Sequence, residues 1–101
     1  MDKPYLLIID DNLTAQETLK GLLNGSGYEI ATADTGPEGL DVASRIHPEV
    51  ILLDVMMPGM DGFEVCQIMR QDPTLAEVPI IMVTALDDRD SKLQGLQSGA
   101  D

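Results

Sequence analysis

The sequence predicts an α/β fold of the doubly wound class, built on a parallel sheet, and three observations predict it. Continuous apolar runs of strand length occupy residues 5–9, 50–53 and 79–83, which suits strands buried on both faces of a sheet. Segments whose apolar residues recur at helical spacing separate these runs, and right-handed crossovers through helices make the strands parallel. The runs end on polar residues, Asp10-Asp11, Asp54 and Thr84, as strands do when they emerge at the functional rim of such a sheet.

Each element follows in order. Tyr5-Leu6-Leu7-Ile8-Ile9 is the first strand. Asn12 is an N-cap candidate for a first helix with Ala15, Leu19, Leu22 and Leu23 at helical spacing, stopped by Gly25-Ser26-Gly27. Residues 28–33 alternate imperfectly and predict a second, less buried strand. Thr35-Gly36-Pro37 opens a second helix with Leu40, Ala43 and Ile46 inward, ending near His47-Pro48 because the residue before proline disfavours helical geometry. Val50-Ile51-Leu52-Leu53 is the third strand, and the loop from Met56 to Gly62 leads into a third helix. That helix carries Phe63, Cys66 and Met69 or Ile68 inward and stops around Asp72-Pro73. The fourth strand runs to Val83, and Asp87 or Asp88 starts a fourth helix anchored chiefly by Leu93 and Leu96. With few apolar positions it should be the least anchored element.

A length of 101 residues allows one small domain, 1–101, with one core. Hydrophobic residues at 44% and charged residues at 24% fit a soluble globular domain, and no apolar run is long enough for a membrane span. Met1-Asp2-Lys3-Pro4 has neither a basic leader nor a small-residue cleavage site, so a cytoplasmic location is expected. Eighteen acids against six bases give a net charge of -12, which disfavours contact with nucleic acid or anionic lipid and favours cations or basic surfaces. The single cysteine, Cys66, excludes an internal disulfide and reads as a small apolar helix residue.

The aspartates carry the chemistry. A single aspartate after an apolar strand is usually a turn or cap residue, but here several occupy equivalent strand ends. If the strand order is 2-1-3-4, the reversal lies between the first and third strands, and Asp10, Asp11 and Asp54 meet there. Three such groups repel one another unless they bind protons or share a cation, and oxygen-only ligands suit Mg²⁺ or Mn²⁺. Asp54 can then act as a nucleophile toward a phosphorylated donor, with the Thr84 hydroxyl donating to a phosphoryl oxygen and the small Ala85 leaving access. Glycine-rich phosphate cradles are absent, since Asp-Asp-Asn follows the first strand.

Three segments together resemble the receiver domains of two-component response regulators. They are Leu7-Ile8-Ile9-Asp10-Asp11-Asn12, Leu52-Leu53-Asp54-Val55-Met56-Met57-Pro58-Gly59-Met60-Asp61-Gly62 and Ile80-Ile81-Met82-Val83-Thr84-Ala85. The Asp-Asp pair is a weak signal; the Asp-x-x-Met-Pro-x-Met-Asp-Gly stretch in register with it is specific. The resemblance implies a flavodoxin-like strand order, 2-1-3-4, and phosphorylation of Asp54 by the phosphohistidine of a sensor histidine kinase or phosphotransfer protein. It further implies Mg²⁺ ligation by Asp11, Asp54 and the Met56 backbone carbonyl, with Asp10 acting through water. Thr84 would be the switch residue, and Met56 and Leu86 would lie where family members tune the lifetime of the phosphate.

Members of that family continue into a fifth strand, which ends in a lysine that contacts the phosphoryl group, and a fifth helix. Here the sequence stops at Gly99-Ala100-Asp101, about twenty residues short at typical element lengths. Lys3, Lys20 and Lys92 stand at the wrong ends or faces to replace that lysine. The expectation is that the chain either pairs with a second copy through the surface so uncovered or belongs to a longer regulator.

Two other readings remain open. Asp10-Asp11-Asn12-Leu13-Thr14 resembles the nucleophile motif of haloacid-dehalogenase-type phosphatases, although Asn12 stands where their general acid would be. A pseudo-receiver would keep the fold as an interaction module without being phosphorylated. His47 reads as a surface or capping residue; Met56, Met57 and Met60 as loop packing; and Asp87, Asp88 and Asp90 as a solvated helix start.

Overall fold

The computed structural model describes residues 3–57 and 59–83. The chain order is β1 (Tyr5–Ile9), α1 (Leu13–Leu23), β2 (Glu29–Ala33), α2 (Gly36–Ile46), β3 (Val50–Asp54), α3 (Gly62–Gln71) and β4 (Ile80–Val83). The four strands form one sheet in the order β2-β1-β3-β4, with every pairing parallel. The doubly wound class and the 2-1-3-4 order expected from the sequence are therefore the observed ones. The expectations for Thr84, Ala85, Leu86, Lys92 and the fourth helix lie outside the described residues. No helix among the described residues is long and apolar enough to cross a membrane.

The register explains which residues form the core. Leu7 pairs with Ala31 and Ile51, and Ile9 with Ala33 and Leu53, while Ile80 continues the Ile51 row. This face of the sheet packs with Ala43 of α2 and with Val65, Cys66 and Met69 of α3 into one buried cluster. Each fully buried aliphatic side chain there contributes about 1.5–3 kcal/mol relative to exposure. Leu75, in the turn after α3, seals the cluster, and the Arg70 guanidinium holds that turn by donating to the carbonyls of Ala76 and Val78 at 2.8 Å each.

Side-chain oxygens start all three helices among the described residues. Asn12 accepts from the Ala15 N–H at 3.1 Å, Thr35 from Glu38 at 3.2 Å and Asp61 from Glu64 at 2.9 Å, each satisfying an N–H that has no partner within its helix. His47 ends α2 in the left-handed conformation, φ 48°, so its expected capping role is the observed one.

Three expectations need correction. In α1, Leu22 is 76% exposed, whereas Gln16 is buried and Leu19 and Leu23 are half-buried. The inward face is thus centred on 16, 19 and 23, and apolar spacing alone chose a phase that included Leu22. In α3, Val65 joins Cys66 and Met69 in the core, Phe63 is only half-buried and Ile68 is exposed. Met57 and Met60 pack against the core, but Met56 is 68% exposed.

Candidate functional site

The parallel register carries the ends of β1 and β3 to one rim. Ile9 pairs with Leu53, so Asp10 and Asp11 after β1 stand beside Asp54 at the end of β3. A carboxylate oxygen from each of Asp10, Asp11 and Asp54 lies within 4.8 Å of the others. Asp10 is buried, Asp54 half-buried and Asp11 exposed. The crevice expected from the strand-order reversal is therefore where these three residues converge.

Local hydrogen bonds aim two of the three. Asp10 Oδ1 accepts from the Asn12 N–H at 2.9 Å, a turn that leads directly into the cap of α1. Asp54 Oδ1 accepts from the Met56 N–H at 3.2 Å. Burial raises the Asp54 carboxyl from an ordinary 3.8 to about 6; the Met56 N–H opposes this, and the charges of Asp10 and Asp11 add to it. A site that disfavours the ionised Asp54 and offers oxygen donors only fits a hard divalent cation.

The loop after β3 shows why its residue types are needed. The N–H of Gly62 donates to Val55 O at 3.1 Å, which brings the start of α3 against the end of β3. A Cβ at Gly62 would meet the carbonyl of Asp54 and stand 3.0 Å from Val55 Cα, so only glycine permits the approach. Asp61 beside it caps α3, and Gly59 adopts φ 81°. The Asp-Gly pair thus docks a helix directly behind Asp54.

A protein-family model, the response regulator receiver domain, matches residues 6–101. The chain belongs to that family. The response regulator PleD of Caulobacter vibrioides is 47% identical to this receiver domain over 95 residues, covering 94% of this chain and 21% of PleD. RpaA of Synechocystis, described as a DNA-binding dual master transcriptional regulator, is 41% identical over 98 residues, covering 97% of this chain and 41% of that protein. The chain thus spans well under half the length of these relatives. Among solved structures, chemotaxis protein CheY4 of Vibrio cholerae superposes with a TM-score of 0.90 at 32% identity, covering 98% of this chain and 82% of that one. A putative response regulator from Chloroflexus aurantiacus gives a TM-score of 0.90 at 39% identity, with the same coverage.

The receiver domain's predicted site residues divide into two groups. Asp10, Asp11 and Asp54 are brought together, with Met56 two residues beyond Asp54 on the exposed loop; Thr84 lies outside the described residues. Sequence reasoning passed over Gln16, which is 4% exposed and touches the Asp10 turn. The signal for it was a polar residue one turn after an asparagine cap, in phase with Leu19 and Leu23.

Proposed function

We propose that this receiver domain accepts a phosphoryl group on Asp54 from the phosphohistidine of a sensor histidine kinase or phosphotransfer protein. A carboxylate oxygen of Asp54 attacks phosphorus, the phosphorus–nitrogen bond breaks, and the imidazole leaves with the electron pair and takes up a proton. The observation that carries this reading is the convergence of Asp10, Asp11 and Asp54 within 4.8 Å at the rim. Asp54 is half-buried, and it is the last residue of β3, a strand paired on both sides with β1 and β4.

Asp11, Asp54 and the Met56 carbonyl would hold Mg²⁺ or Mn²⁺, with Asp10 acting through water. When bound, such a cation neutralises phosphoryl oxygens and the carboxylates facing them. Asp10 and Asp11 supply the negative field that recruits it, while the Met56 N–H orients the Asp54 carboxylate. Thr84 would donate its hydroxyl to the phosphoryl group and report its arrival. Asn12 caps α1 with its side chain and supplies no acid, which speaks against the phosphatase reading.

Incubation with acetyl phosphate and Mg²⁺, followed by intact mass measurement, tests this. The wild type should gain the mass of one phosphoryl group and Asp54→Asn should not. No adduct on the wild type, or one that persists in Asp54→Asn, overturns the assignment.

A further inference from the structure

Gln16 is a buried polar residue in a helix whose other buried or half-buried positions are mostly apolar. Its Nε2 donates to the Asp10 carbonyl at 2.6 Å and to Asp34 Oδ1 at 2.8 Å, with the Ala33 carbonyl at 3.4 Å. All three partners are acceptors, so the amide nitrogen must face them; an oxygen in its place would meet three oxygens. The Asp10 N–H in turn donates to the same Ala33 carbonyl at 3.0 Å. One side chain on α1 thus joins the turn after β1 to the turn after β2.

We infer that Gln16 is a positioning residue for the carboxylate site, a role that rests on the cation-binding reading above. The Asp10 peptide carries the turn in which Asp10 Oδ1 accepts from Asn12, and Asp11 follows immediately. Holding the Asp10 carbonyl sets the rotation of that peptide and hence where both carboxylates stand relative to Asp54. The bond to Asp34 anchors the amide from the other side, so α1 cannot slide along the rim without breaking it. An apolar side chain of equal length would fill the same space and leave the turn unheld.

Two variants separate positioning from simple stability. Gln16→Met keeps the volume and removes the donor. Asp34→Ala removes the tie to the turn after β2 while leaving the Gln16 amide on the Asp10 carbonyl. The readouts are Mn²⁺ affinity by calorimetry, the thermal midpoint without metal, and hydrogen exchange of the Asn12 amide in metal-free protein. Gln16→Met should weaken Mn²⁺ binding about tenfold, as losses of groups that orient metal ligands do, and should speed Asn12 exchange. Asp34→Ala should lower the thermal midpoint while keeping the Mn²⁺ affinity within about twofold of wild type. If Gln16→Met does not fold, Asp34→Ala decides: a loss of about tenfold in affinity with the Asp10 bond still in place overturns the role. Equal Mn²⁺ affinity in wild type and Gln16→Met overturns positioning alone, whereas a wild type that binds no Mn²⁺ overturns the cation reading and this one with it.

Discussion

Under α2 and α3, Leu7, Ile9, Ile51, Leu53 and Ile80 have no solvent exposure, and side chains from both helices close over them. On the opposite face Leu6 and Ile8 of β1 are buried, but Ile30, Leu52 and Val83 remain half-exposed and Ile81 is 48% exposed. A cleft of about 370 Å³ lies there between α1 and β4, lined by Ala15, Thr18, Leu19 and Val83 and reaching Asp10. Asp54 shares its register parity with Leu52, so its side chain belongs to the looser face. The closely packed half holds the strands in place; the looser half is where the charged groups of the rim meet water.

Neighbouring residues of β3 give the sharpest way to break this comparison. Leu53→Ala should destabilise by about 2–5 kcal/mol, and Leu52→Ala by clearly less, because Leu52 already keeps part of its surface in water. Urea denaturation of both variants checks this, and equal losses would mean the two faces are equally packed. Gly62→Ala should cost about 1–3 kcal/mol by forcing α3 away from the end of β3. It should also disturb the Asp54 backbone, visible as amide shifts at Asp54 and Val55.

The rim itself responds to pH. The folded state holds the Asp54 proton more tightly than the unfolded state, with a pKa of about 6 against 3.8. The stability this contributes is complete below 3.8 and is lost as pH rises through about 6. In metal-free protein, Asp54→Asn should therefore melt above the wild type at neutral pH, with the gap closing as pH falls toward about 4. A gap that does not change with pH would remove the electrostatic account of the site. The smallest effect is expected at Leu22→Gln on exposed α1 surface, within about 0.5 kcal/mol of wild type.

Much of the fold is legible in the order of residues alone. The apolar runs of β1, β3 and β4, the caps Asn12 and Thr35 and the stop at His47-Pro48 are local signals, and each corresponds to an observed element or boundary. The inward faces are less legible. Leu22 and Ile68 are apolar but exposed, whereas Gln16 is polar and buried, since the helix phase is set by what lies beneath it. Leu75 escapes a sequence reading because it lies in a turn without periodicity, held by Arg70.

The sequence by itself determined which residue types end the strands, and so that acids would stand at the rim of a parallel sheet. Periodicity, capping and turn chemistry act over a few residues and can be read directly from their order. Only the tertiary structure decided that Asp10, Asp11 and Asp54 share one space, that Asp54 is half-buried enough to hold its proton to about 6, and that Gln16 ties the first turn to the second. Those facts depend on register and burial between segments tens of residues apart, which no local pattern encodes.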